Sequence, residues 1–199
     1  MKRLAIVRDT VSGSTAEMAG IIGEVLGETF EVAVLPVDGD PSLAGYDAVV
    51  VGSPMRFGAF TAPTRRFIRR HRALLAERPI AYFFSLLYAV RIEEEAPPGV
   101  TPHLDPGLSV KDLARRRATV MDRTHSLGYY ERGWRRCAPE LRPASVAYFK
   151  GRLDLRRLPL LARLFMRVVT ALTVKEQEGE FLNRATVKEW ALELRRILG

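Results

Sequence analysis

Cysteine, histidine and long apolar runs are scarce in this sequence of 199 residues. The single cysteine, Cys137, excludes an internal disulfide and is typical of a protein from the reducing cytoplasm. Three scattered histidines lack the spacing of metal ligands, so we expect no metal site. Arg163 and Arg167 interrupt the run "LPLLARLFMRVVTALTV", and the apolar part of "MKRLAIVRDT" is too short for a signal peptide. We therefore expect neither a membrane-spanning helix nor a leader.

Acidic residues are outnumbered, with 23 Asp and Glu against 31 Lys and Arg, which gives a net charge of +8. A basic surface attracts nucleic acid, acidic proteins, lipid headgroups or carboxylate-bearing substrates, and charge alone selects none of them. The hydrophobic fraction of 47% and the charged fraction of 27% are those of an ordinary globular protein. The length suits one well-buried core, so we expect a single domain over residues 1–199.

Short apolar runs rich in Val, Ile, Tyr and Phe alternate with helical patterns. Five of these runs predict strands, at residues 4–7, 30–35, 48–51, 80–87 and 145–149. The alternation predicts an α/β fold, a three-layer sandwich around a five-stranded parallel sheet with strand order 2-1-3-4-5.

Two stretches, residues 92–142 and 152–175, are longer than this frame needs and are predicted to be insertions carrying helices late in the chain. Within the first, "SVKDLARRRATVMDRTHSLGYY" predicts one helix after a proline-rich loop. The last helix is predicted to open with a capping box from Thr186 to Glu189.

The corner between the first strand and the first helix reads "TVSGST", residues 10–15. Its hydroxyl groups and a glycine suit a phosphate held by backbone amides, and the residues concerned are Thr10, Val11, Ser12, Gly13, Ser14 and Thr15. The corner lacks the lysine of a nucleoside-triphosphate loop and the three glycines of a dinucleotide fingerprint. It therefore predicts a site for one terminal phosphate. The structural alternative is a capping box in which Ser14 and Glu17 close an ordinary helix.

Two further loops are expected at the same edge of the sheet, where ligands bind in doubly wound folds. The loop after the third strand offers an apolar surface, backbone polar groups and one cation, from Ser53, Pro54, Met55, Arg56, Phe57 and Gly58. The loop after the fourth strand contains Ser85, Leu86, Leu87, Tyr88 and Ala89. Together they suit a ring system attached to the phosphate, with Tyr88 as a candidate stacking residue. The alternative for Phe57 and Tyr88 is core packing.

The segment "TVSGST" matches the flavodoxin phosphate-loop pattern Thr-x-Ser/Thr-Gly-x-Thr. Three other stretches, "VVVGSPMRFGAFTAPTRRFIRRH", "RPASVAYFKGRLDLRRLPLLARLFMRVV" and "EFLNRATVKEWA", resemble the flavodoxin-like menaquinone-dependent protoporphyrinogen IX dehydrogenases of bacterial haem synthesis. The resemblance covers most of the chain except residues 92–140. It implies FMN held by residues 10–15, 53–58 and 85–89, with electrons passing from a porphyrinogen-like donor through the flavin to a membrane quinone. No catalytic acid or base is assigned.

Residues 155–174 combine an apolar stripe with arginines on the opposite side of a predicted helix. This pattern predicts docking at the inner, anionic face of a membrane, and its alternative is packing on the sheet edge or on a second subunit. Two other function classes stay open, a flavodoxin-type electron carrier without its own substrate and a flavin-free binding module. Nucleic acid is not an expected partner, because aromatic base-stacking motifs are absent.

Overall fold

A parallel sheet lies at the centre of the computed structural model, which describes residues 1–56, 58–93, 99–152 and 182–199. Its strands are β1 (Arg3–Arg8), β2 (Glu31–Pro36), β3 (Ala48–Arg56), β4 (Ala59–Phe60), β5 (Ile80–Leu86), β7 (His103–Leu104) and β9 (Ser145–Lys150). Two further strands, β6 (Tyr88–Ile92) and β8 (Ser109–Leu113), form a small parallel sheet of their own.

The strand order is β2-β1-β3-β5-β9-β7, which contains the predicted order 2-1-3-4-5 of the five expected strands. The predicted number of strands is wrong, because the sheet has seven strands among the described residues. The short β7 pairs parallel with the outer edge of β9, and β4 pairs antiparallel with the end of β3. Both extra strands have only two residues, so neither has an apolar run long enough to reveal it in the sequence.

Helices cover both faces of the sheet and complete the predicted three-layer sandwich. The α-helices of the described ranges are α1 (Ser14–Leu26), α2 (Ala62–Ala76), α3 (Val120–Thr124), α4 (Leu127–Cys137) and α5 (Arg184–Leu198). The apolar sides of α1 and α5 pack with one face of the sheet, and those of α2 and α4 pack with the other. The fold class is therefore confirmed.

The single helix predicted after the proline-rich loop is wrong. Ser109–Leu113 is strand β8, which pairs in parallel register with Tyr88–Ile92. Thr119 and Asp122 then form a reciprocal capping box that begins α3, and the Ser126 hydroxyl accepts the first hydrogen bond of α4. These two caps divide the segment into separate helices, because each cap fixes a chain direction that a continuous helix cannot follow.

The capping box predicted at Thr186 and Glu189 is also wrong. The helix begins three residues earlier, with Asn183 as its N-cap, since the Asn183 side chain accepts the Thr186 N–H and also donates to the Asp105 carboxylate. Tertiary contact of the cap residue thus decides the start of α5. The predicted amphipathic helix at 155–174 lies outside the described residues. In the ranges that the structure covers, no helix is long and apolar enough to cross a membrane.

Candidate functional site

The corner between β1 and α1 is held by short hydrogen bonds around a left-handed glycine. Gly13 has φ 93° and stands directly before the first residue of α1. Its N–H donates to the Thr10 hydroxyl at 3.1 Å, and the Thr10 N–H donates to the Asp9 carboxylate at 2.7 Å. A side chain at this φ would be strained, so glycine is the residue that lets the chain turn here. The N–H groups of the first helical turn then point out of the corner without intrahelical acceptors.

The alternative capping box between Ser14 and Glu17 is not formed. The residue before the helix is Gly13, and no side chain caps it. The Glu17 carboxylate instead bonds Arg152, at 3.2 Å, and Arg184. The Ser14 hydroxyl has no hydrogen-bond partner among the described residues. The helix start is therefore left open rather than closed by its own side chains.

The ends of β5 and β9 converge on this corner. The Thr15 and Ser85 hydroxyls are 2.9 Å apart, and the Ser12 hydroxyl donates to the Arg152 carbonyl at 3.0 Å. A Cβ atom at Gly151 would lie 3.3 Å from the Ser14 Oγ atom and 3.2 Å from the Ser85 Cβ atom. The corner is thus held in place from two neighbouring strands, which fixes the direction of its amides.

The expected loop at residues 53–58 is a β-hairpin in its second half. Ser53 and Pro54 continue β3 beside β5, while Met55 and Arg56 pair antiparallel with β4. Ser53 is fully buried, and its hydroxyl accepts the Thr61 N–H at 3.2 Å. Phe57 lies outside the described residues.

Gly58 ends this hairpin turn with φ 77° and is pressed against the inserted segment. A Cβ atom at this position would lie only 2.4 Å from the Thr124 carbonyl oxygen. The insertion and the hairpin are therefore in direct contact.

Residues 85–89 connect the two sheets. Ser85 and Leu86 end β5, Leu87 is half-buried, and Ala89 is fully buried in the core. The half-buried ring of Tyr88 stacks on His125, with centroids 4.8 Å apart and an interplanar angle of 16°. His125 comes from the insertion, so this segment covers one face of the predicted stacking residue.

Electrostatics around Tyr88 favour a neutral phenol beside a charged carboxylate. Burial raises the pKa of Tyr88, and the negative charge of Asp122 raises it further. The hydrogen bond from the Thr119 hydroxyl lowers the pKa of Asp122, which outweighs the opposing effect of burial. At neutral pH Tyr88 therefore keeps its proton while Asp122 is ionised.

A cleft of about 560 Å³ opens at the carboxyl ends of β1 and β3, which is a usual volume for a small-molecule site. Its walls come from the corner, the hairpin, the start of α2 and the residues after β2, and they consist of Asp9, Val11, Asp38, Arg56, Ala59, Phe60, Thr61, Ala62, Pro63 and Arg65. Of the predicted site residues, Val11 and Arg56 line it. The strand order reverses between β1 and β3, so this cleft lies where doubly wound folds bind ligands.

Sequence reasoning missed several residues that the fold brings to this region. Asp9 directly follows β1, Asp38 is the second residue after β2, and Gly151 directly follows β9. Their positions after the carboxyl ends of parallel strands are the signal that could have found them. His125 had no such signal, because it lies in an insertion whose course the sequence does not predict. In the described part of the chain, no group of three or more His, Cys, Asp and Glu residues could hold a metal ion.

Comparison with known proteins decides the family. The flavodoxin domain family matches residues 5–179 of the chain. The chain belongs to the flavodoxin domain family. The expectation of FMN as the cofactor rests on resemblance to this family, and the match over residues 5–179 supports it.

This flavodoxin-domain protein is also similar to protoporphyrinogen IX dehydrogenase (quinone) of Escherichia coli strain K12, with 30% identity over 100 residues. The match covers 49% of this chain and 55% of the relative, so the chain spans about half the length of the curated relatives it matches.

Among solved structures, oxidised flavodoxin 1 from Bacillus cereus has 27% identity and a TM-score of 0.38, over 42% of this chain and 61% of that one. A flavodoxin variant from Pseudomonas aeruginosa has 13% identity and a TM-score of 0.49, over 98% of both chains.

Proposed function

We propose that this flavodoxin-domain protein is an FMN-dependent oxidoreductase that passes electrons from a porphyrinogen-like donor to a quinone. Family membership supports the flavin, and the half-length match to a quinone-linked dehydrogenase supports the donor and the acceptor. The observation that carries the proposal is the Gly13 corner, where a left-handed glycine opens the start of α1 at the carboxyl edge of the sheet.

The corner fits the terminal phosphate of FMN. A phosphate at a helix N-terminus binds backbone N–H groups and meets the positive end of the helix dipole, so it needs no lysine. The hydroxyls of Thr10, Ser12 and Thr15 already bond within the protein. We therefore assign the first-turn amides of α1 and the Ser14 hydroxyl as the main phosphate donors, and we assign the other hydroxyls to holding the corner in shape.

The ring system of FMN would be held by residues of the hairpin and of the segment after β5. We assign Arg56 and Val11, which line the cleft, and Tyr88, whose pKa is raised so that it remains a neutral aromatic surface. FMN supplies the hydride and single-electron chemistry, while the chain binds, orients and covers it. Arg56 would place a positive charge at the cleft, which favours a reduced, anionic ring.

The experiment that tests the function begins with the colour of the purified protein. We expect it to take up FMN with a flavin absorbance spectrum, to be reduced anaerobically by protoporphyrinogen IX, and to be reoxidised by menaquinone. A colourless protein that does not take up FMN would remove the proposal. A flavin that neither substrate reduces nor reoxidises would leave a flavodoxin-type carrier instead.

Replacing His125 with alanine is expected to tighten FMN binding about two- to tenfold. The stacked Tyr88–His125 pair is worth about 0.5–1.5 kcal/mol, and its loss exposes a ring face for the flavin. The measurement is FMN affinity by fluorescence quenching. The matched control is His125→Phe, which keeps an aromatic stack and should leave the affinity unchanged. Weaker binding by the alanine variant would contradict the assignment of Tyr88.

A further inference from the structure

The outer side of α2 carries a groove of about 480 Å³ lined almost entirely by cations. Its walls are Ala62 and four arginines from two successive turns, Arg65, Arg66, Arg69 and Arg70. Three of these arginines are exposed, and Arg65 is half-buried. We call this surface the arginine groove.

The groove opposes the electrostatics of its own helix. The start of a helix favours anions, yet α2 has no acidic residue in its first turn and has Arg65 and Arg66 immediately after it. The fold neutralises only part of this positive charge. Arg70 pairs with Asp40 at 2.5 Å, whereas Arg65 donates to the Phe60 carbonyl, which carries no net charge. Arg66 has no ion pair among the described residues. Repulsion between these cations is relieved when an anionic surface binds.

The groove adjoins the candidate flavin cleft. Ala62 and Arg65 line both, so a molecule bound in the groove lies at the mouth of the cleft. A partner bound in the groove would therefore lie close to a flavin held beside Arg56.

We propose that the arginine groove is the docking surface for a helix of an acidic partner protein, which would then lie at the mouth of the cleft. The spacing of the cations defines the partner. Arg65 and Arg69 form one row on α2 and Arg66 and Arg70 form a second, and the two arginines within each row are about 6 Å apart along the helix axis. A partner helix with carboxylates at i and i+4 presents the matching spacing. Arginine binds such carboxylates with paired hydrogen bonds.

Other occupants suit the groove less well. A small-molecule pocket is concave and mainly apolar, whereas four of the five lining residues here are arginines. A membrane-docking helix inserts apolar side chains, but Phe67, Ile68 and Leu75 of α2 are buried against the sheet. No aromatic side chain lines the groove to stack on nucleic acid bases.

The test measures binding of a fluorescein-labelled helical peptide with glutamates at i, i+4 spacing to the full chain. We expect affinity to fall as salt rises, and to fall about tenfold in the double variant Arg66→Gln/Arg69→Gln. The control Arg115→Gln/Arg116→Gln removes the same charge from an exposed run elsewhere and should keep most of the affinity. A second control peptide carries the same glutamates at i, i+2 spacing and should bind more weakly.

Each contrary result would overturn the proposal. Equal losses in the two double variants would show that only net charge matters. No peptide binding in 20 mM salt, or tighter binding to phosphatidylglycerol vesicles or duplex DNA than to the peptide, would exclude the protein partner. Peptide binding is measured without any redox step, so it tests the groove independently of the flavin. Unchanged FMN content of the groove variant shows that a loss of peptide binding does not come from damage to the flavin site.

A charge-reversal pair gives an independent check on the contact. Arg66→Glu should weaken binding of the glutamate peptide and restore binding to a peptide in which one glutamate is lysine. Circular dichroism confirms that the variant is folded. Absence of this rescue would contradict the docking orientation.

Discussion

Replacing Gly13 with valine is expected to weaken FMN binding about a hundredfold. The residue has φ 93°, and a β-branched side chain at positive φ is a genuine outlier. The strain of about 1–3 kcal/mol would be relieved by turning the corner, which moves the first-turn amides away from the phosphate. Binding is therefore weakened by the loss of amide contacts to the phosphate. The expected factor of a hundred in Kd corresponds to about 2.7 kcal/mol of binding free energy. Fluorescence titration with FMN measures the effect.

The matched control is Gly20→Ala in the same helix. A Cβ atom at Gly20 would have no atom within 4 Å, so alanine fits without strain. Alanine in a helix interior should stabilise the fold by about 0.5–1 kcal/mol and leave FMN affinity unchanged. A folded Gly13→Val protein with the affinity of the parent chain would show that phosphate is bound elsewhere.

Replacing Trp190 with alanine is expected to lower the free energy of unfolding by about 3–5 kcal/mol. The side chain is fully buried between α5 and the sheet, where it packs against Phe83 and, edge-on, against Phe149. Its indole N–H also donates to the Ser145 hydroxyl at 2.9 Å. Since the free energy of unfolding of a native protein is about 5–15 kcal/mol, this loss would remove much of the total stability. Urea unfolding measures the change as a lower midpoint at constant slope.

Leu192→Ala provides the comparison on the same helix. Leu192 is 40% exposed, so its truncation should change stability by no more than about 0.5 kcal/mol. Trp190→Phe keeps a ring in the core and should fall between the two. Similar midpoints for the alanine variants at 190 and 192 would contradict the packing of α5 on the sheet.

The main strands and the glycine turn before α1 could be predicted because their causes are local. Parallel strands buried on both faces need continuous apolar runs, and those runs are visible at every long strand. A turn before a helix that is open to a phosphate needs glycine and small residues, which Gly13 and its neighbours supply. In these elements the side chains alone define the backbone path.

The remaining features depend on contacts between distant segments, which periodicity does not contain. The hairpin after Pro54 forms because β3 outlasts its parallel partners and pairs with β4 instead. Strand β8 forms because β6 lies beside it, and α5 starts early because Asn183 bonds Asp105. The groove of cations on α2 could be read as a solvated face, and only its position beside the cleft distinguishes it.

In the proposed flavin site, the stacking of His125 on Tyr88 would make the insertion and the cofactor competitors for one aromatic surface. A flavin approaching that face must displace the imidazole, so part of its binding energy is spent on displacing the inserted segment. Linkage requires the reverse as well: a molecule that fastens the insertion down would loosen the flavin by the same factor. An elongated loop beside a redox centre thereby becomes a means of setting how firmly the prosthetic group is retained.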